Sequence, residues 1–88
     1  MSGQIGAEMG QLDALRKKFD QESVTVNQLT TSIGSQVGST WWKGPAAQRF
    51  QQSWESDFSP MLARLETALQ EASQEINRRH TALNQAGT

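Results

Sequence analysis

Only one stretch of this chain carries a cluster of residues that interrupt regular structure: Gly38-Ser-Thr-Trp-Trp-Lys-Gly-Pro45. Two glycines, a serine, a threonine and a proline within eight positions mark a turn. Everything before and after it keeps one spacing. Upstream, apolar residues stand at Ile5, Met9, Leu12, Leu15, Phe19, Val26, Leu29, Ile33 and Val37, in steps of 4, 3, 3, 4, 7, 3, 4 and 4. That repeat lies near 3.5 to 3.6 residues and places all nine on one helical stripe. Downstream, Phe50, Trp54, Phe58, Met61, Leu62, Leu65, Leu69, Ala72, Ile76 and Leu83 form a second stripe. The expected fold is all-α: a single helical hairpin domain over 1–88, with a helix over about 4–37, a turn over about 38–45 and a helix over about 46–84.

Local propensity supports the second helix better than the first. Ala, Leu, Glu, Gln and Arg dominate it, and Pro45 suits its first position with Gly44 just ahead. Glu75 and Arg79 stand i,i+4 in the favourable order. Arg78, Arg79 and His80 suit the negative pole of a helix ending nearby. In the first helix, Ser23-Val24-Thr25-Val26 alternates like a strand, and Thr30, Thr31 and Gly34 are poor helix formers. Nine helically spaced positions outweigh those four, so this half must rely on packing. Pro60 is the misfit, since an interior proline removes a hydrogen bond and crowds the preceding turn. It kinks the helix or breaks it, and the stripe continuing in phase from Phe58 to Leu62 favours a kink. The small, polar ends of the chain are expected to fray.

Composition excludes much else. Zero cysteine removes disulfides and thiolate chemistry, and a lone His80 argues against a histidine-rich metal site. Eight basic residues against nine acidic ones give −1, unlike a nucleic-acid binder. No apolar run is long enough to span a membrane. The N-terminus has neither the basic nor the apolar segment of a conventional signal peptide, so composition alone suggests the cytoplasm. Asp57, Glu66, Glu71 and Glu75 are dispersed, and no base–orienter set accompanies a serine. The glycines form no phosphate loop. The chain is expected to be no enzyme, with no catalytic residues, no metal and no cofactor. His80 reads as a surface or dipole-facing histidine. Arg16-Lys17-Lys18, bracketed by Asp13 and Asp20, reads as a solvated helix face.

Both stripes are wider than a hairpin seam needs. With 35% apolar residues in 88, a hairpin alone would leave a long exposed apolar band, which soluble monomers seldom carry. Two hairpins packed face to face as a four-helix bundle would cover it. The candidate partner-binding residues are Met9, Leu12, Leu15, Phe19, Val26, Leu29, Ile33, Phe50, Trp54, Phe58, Leu62, Leu65, Leu69 and Ile76. Met9 and Met61 read as core, with an adaptable binding surface as the minor alternative. Two tryptophans in the turn either close the end of the hairpin or serve as a binding anchor. A glycine at position 44 would let the Trp42 ring fold back over the helix start.

The tripeptide Trp42-Lys43-Gly44, set midway between two amphipathic helices of near-equal length, closely resembles the WXG-type, ESAT-like family of small type VII secretion substrates. The resemblance covers nearly the whole chain. It implies a hairpin dimer, secreted while folded without a cleavable signal peptide and cytoplasmic before export. It also implies contact, through the complex, with a secretion ATPase of the DNA-translocase type. Trp42 and Gly44 would be the secretion and turn motif. Many members add a Tyr-x-x-x-Asp or Glu signal after the second helix. This chain has no tyrosine, which implies the signal-less subunit of a heterodimer whose homologous partner supplies the tail. A self-sufficient homodimer is one alternative. A membrane-perturbing amphipathic hairpin is another, disfavoured because the polar faces are rich in Gln, Ser and acids instead of Lys and Arg.

Overall fold

In the computed structural model, residues 2–86 are described. Helix α1 spans Ser2–Ser39 and helix α2 spans Pro45–Ser53. A π-helical turn follows over Trp54–Phe58, and helix α3 spans Ser59–Ala86. The last three run on without a gap, so the molecule is two antiparallel rods joined by one turn. It measures 66 × 16 × 13 Å. The ends where fraying is expected lie outside the described residues at 1, 87 and 88.

The strand-like stretch Ser23–Val26 is helical. Its hydroxyls bond back into the helix: Ser23 Oγ donates to the Asp20 carbonyl at 3.1 Å and Thr25 Oγ1 to the Gln21 carbonyl at 3.0 Å. Thr30 Oγ1 does the same to the Val26 carbonyl at 2.8 Å. These bonds satisfy the polar groups that would otherwise make serine and threonine costly in a packed helix. Ser23 is only 6% exposed as a result, and Ser73 of α3 is equally enclosed.

Small side chains line the seam between the rods. Ser23, Ser73, Ala47 and Leu83 are buried, and Gly34 is half-buried. The indole of Trp54 lies over Gly34, with Nε1 and Cζ2 at 3.6 and 3.7 Å from where a Cβ would stand. Pairing of residue 34 with 54, 27 with 66 and 8 with 79 shows the antiparallel register. The Asn27 amide donates to Glu66 at 3.3 Å, and Arg79 donates to Glu8 at 3.1 and 3.2 Å.

Pro60 does not break the second rod. The Ser59 N–H reaches five residues back to the Trp54 carbonyl, which widens the turn just before the proline. A wider turn makes room for a ring that would crowd the carbonyl four residues earlier. Each residue of a π turn also advances less around the axis than an α-helical residue. The segment before Pro60 is thereby rotated, and Ala47 and Trp54 face α1. Continuous phase was expected through this region; the added width supplies the rotation that continuous α-helix lacks.

Two expectations about charge are corrected. Arg79 pairs with Glu8 across the hairpin, and Glu75 pairs with Arg78 instead, three residues on. Helix α3 continues to Ala86, so Arg78, Arg79 and His80 lie well short of its negative pole. His80 is half-buried, not fully on the surface.

Candidate functional site

The hairpin seam encloses only part of each stripe. Met9, Leu12, Phe19, Val26, Trp54, Leu62, Leu69 and Ile76 are half-buried. Leu15, Leu29, Ile33, Phe50, Phe58 and Leu65 are exposed, and so is Met61 at 55%. The sequence predicts all of these but Met61 for one surface; Met61, expected in the core, is exposed instead because it lies outside the seam. The structure divides them into a seam set and an outward set.

The outward set shares one face. On α1, Leu15, Leu29 and Ile33 lie to one side of the seam and Asn27 to the other. On α3, Phe58, Met61 and Leu65 lie to one side and Glu66 to the other. The Asn27–Glu66 hydrogen bond makes the two polar flanks neighbours. The two apolar flanks therefore lie together on the opposite face. Exposed side chains of this size, ranked along one face, are the mark of a partner surface. The Arg79–Glu8 pair closes its far end.

The near end of that face is the turn. Gly44 has φ 112° and ψ 175°, a conformation L side chains rarely adopt. It caps α2: the Gln48 N–H bonds to the Gly44 carbonyl at 3.1 Å, and Pro45 occupies the first helical position. A Cβ on Gly44 would meet nothing within 4 Å. Glycine is therefore required by the backbone, not by clearance for the Trp42 ring. That ring packs further along, against Phe50, with centroids 6.1 Å apart and planes tilted by 48°. The centroid separation falls within the range of roughly 4.5–7 Å for interacting aromatic pairs. Ile33, Val37, Thr40, Trp42 and Phe50 line a shallow apolar cleft of about 180 Å³.

Trp41 behaves differently. It is 84% exposed, and Lys43 Nζ stands 5.7 Å from its ring centroid, within reach of a cation–π contact. Neither tryptophan is enclosed, so the turn is a surface in its own right. Lys43 and Arg49 are the charges in this region, because no Asp or Glu occurs between residues 23 and 54.

The basic run on α1 forms a ladder of ion pairs. Arg16 bonds Asp13 at 2.9 Å and Asp20 at 3.1 Å; Lys17 bonds Asp13 at 3.0 Å; Lys18 bonds Glu22 at 3.1 Å. The hydrogen bonds from Arg16 and then Lys17 hold the Asp13 carboxyl down at about 2. The Arg16 guanidinium is correspondingly harder to deprotonate, chiefly through Asp13.

Two features escaped sequence reasoning. Ala47 is among the most enclosed residues, but a single alanine beside a proline carries little pattern. Glu22 stands midway between Leu15 and Leu29, seven residues from each, and the heptad spacing alone could have found it.

Among the described residues, no group of three or more His, Cys, Asp or Glu is placed to hold a metal ion, and no helix is long and apolar enough to cross a membrane. A family model described as proteins of 100 residues with WXG matches residues 4–88. Curated proteins and solved structures give no match.

Proposed function

Because this chain belongs to the WXG100 family, whose members are small helical substrates of type VII secretion that dimerise with other WXG proteins, we propose that it is one half of an exported heterodimer. Its partner is a homologous hairpin, and the two pack as a four-helix bundle that leaves the cell folded. The observation that carries this reading is the outward apolar face formed by Leu15, Leu29, Ile33, Phe58, Met61 and Leu65. Each 100 Å² of apolar surface covered there contributes about 2.5 kcal/mol. Association and side-chain ordering offset much of that gain, roughly 4–15 kcal/mol in all. A long face is therefore needed, and a 66 Å rod supplies one. The half-buried stripe residues Met9, Leu12, Phe19, Val26, Trp54, Leu62, Leu69 and Ile76 brace this face from behind, and Phe50 extends it to the turn.

Trp42 and Gly44 form this subunit's part of the export determinant. Gly44 sets the turn, and Trp42 rests on Phe50 with 48% of its surface still open. In this reading the partner supplies the Tyr-bearing tail, and the secretion ATPase meets the assembled pair.

The test is co-expression with a homologous hairpin that ends in Tyr-x-x-x-Asp or Glu, followed by native mass spectrometry. A 1:1 complex at micromolar concentration is expected. Two separate monomers would refute the pairing. In an export assay, Trp42→Ala should leave the complex intact and stop its release; undiminished release would remove Trp42 from the determinant.

A further inference from the structure

Glu22 is the charge set between Leu15 and Leu29 at the middle of the outward row of α1; Glu8, seven residues before Leu15, lies at the end of the same row and is paired with Arg79 across the hairpin. Residues seven apart on a helix lie one above another, so the row reads Leu15, Glu22, Leu29, with Ile33 one turn beyond. Glu22 is half-buried and held by Lys18 at 3.1 Å, an exposed i,i+4 pair. It also lies near the middle of the 38-residue α1, and so near the middle of the rod.

That position has a consequence for symmetry. Two copies can pair along their full length about a two-fold axis in two ways. A parallel pair sets every level of one rod against the same level of the other. An antiparallel pair exchanges the ends and maps only the middle onto itself. In both, the two Glu22 carboxylates arrive at one level of a bundle whose backbone is only 16 × 13 Å in cross-section per hairpin. Like charges brought together and stripped of water are unfavourable. A homologue with Lys or Arg at that level turns the same feature into an attraction. A charged residue placed between apolar neighbours in the middle of a pairing face is a known means of choosing a partner and a register.

We propose that Glu22 is a partner-selecting residue: it opposes pairing of this chain with itself and favours a homologous hairpin that presents a cation at mid-face. This rests on the pairing reading above and names the chemistry of the partner. Lys18 does not cancel the effect. Its side chain is 67% exposed, and it pairs with one carboxylate oxygen of Glu22, Oε1.

The chain itself serves as the probe. Wild type is mixed with a mass-labelled Glu22→Lys copy and examined by native mass spectrometry and sedimentation equilibrium. The mixed pair is expected to exceed both self-pairs by more than tenfold over a statistical 1:2:1 distribution. Glu22→Leu alone is expected to self-associate at least tenfold more tightly than wild type, while Glu71→Leu, elsewhere on the surface, leaves association unchanged. A statistical mixture would overturn the proposal. So would a Glu22→Leu chain that associates no better than wild type or remains monomeric throughout. Should such a chain still pair with a tail-bearing homologue, the pairing reading stands and only the role of Glu22 falls.

Discussion

Gly44 shows how much one residue decides. Its φ of 112° lies where a Cβ is strained whatever space surrounds it. Gly44→Ala should therefore destabilise the hairpin by about 1–2 kcal/mol, read as a fall of several degrees in thermal unfolding by circular dichroism. Gly10→Ala should do the reverse. Gly10 is helical with open space about it, and alanine gains up to about 1 kcal/mol there. Equal effects at the two sites would contradict the account of the turn. Asp13 gives a pH prediction of definite sign. Its folded carboxyl sits at about 2, below its ordinary 3.8, because Arg16 and Lys17 bond the charged form. Stability from this group is full above about pH 4 and is lost as pH falls toward 2. Asp13→Asn should flatten that acid branch and leave the neutral range with a lower, pH-independent stability. An unchanged acid branch would show that the ladder does not matter to folding. The need for glycine at 44 was legible in the sequence, but its reason was not. The motif suggested ring clearance, whereas backbone sign is a three-dimensional property that no residue type announces.

At the scale of elements, the two rods and the turn were readable because their periodicity is long and uninterrupted. The response to Pro60 was not. The sequence shows that a proline must be accommodated; whether a helix bends, breaks or widens depends on which side chains gain from the outcome. Here the π turn rotates Trp54 onto Gly34, a contact between residues twenty positions apart. Trp54→Ala should cost about 2 kcal/mol, short of the roughly 3–5 kcal/mol for a fully enclosed tryptophan. Gly34→Ala should be tolerated, since its Cβ would meet the indole at ordinary contact distance, but Gly34→Leu should lift the ring away. A double-mutant cycle between Trp54→Ala and Gly34→Leu checks the coupling, and strictly additive losses would deny the contact. The cross-hairpin Arg79–Glu8 pair was equally hidden. Spacing along one helix proposed Glu75 for Arg79, and only the antiparallel register brings Glu8 within reach.

For the molecule as a whole, the proposed pairing rests on the apolar face outside the seam. Phe58 and Leu65 are both nearly half exposed, so replacing them affects the free hairpin little. Phe58→Ser with Leu65→Ser should keep the helical circular dichroism signal yet weaken pairing by at least ~100-fold, given about 1.5–3 kcal/mol for each large side chain withdrawn from water. Undiminished association would move the interface elsewhere. The stripes marked this surface as apolar, but dividing it into inner and outer sets needed the Asn27–Glu66 bond to say which flanks adjoin. One dimension bears on transport. The backbone is about four times longer than it is broad, so an aperture that admits it lengthwise would refuse it sideways. Passage through a narrow gate is then a matter of aim, and the blunt tryptophan-bearing prow, free of acidic residues, is one of only two ends that could go first.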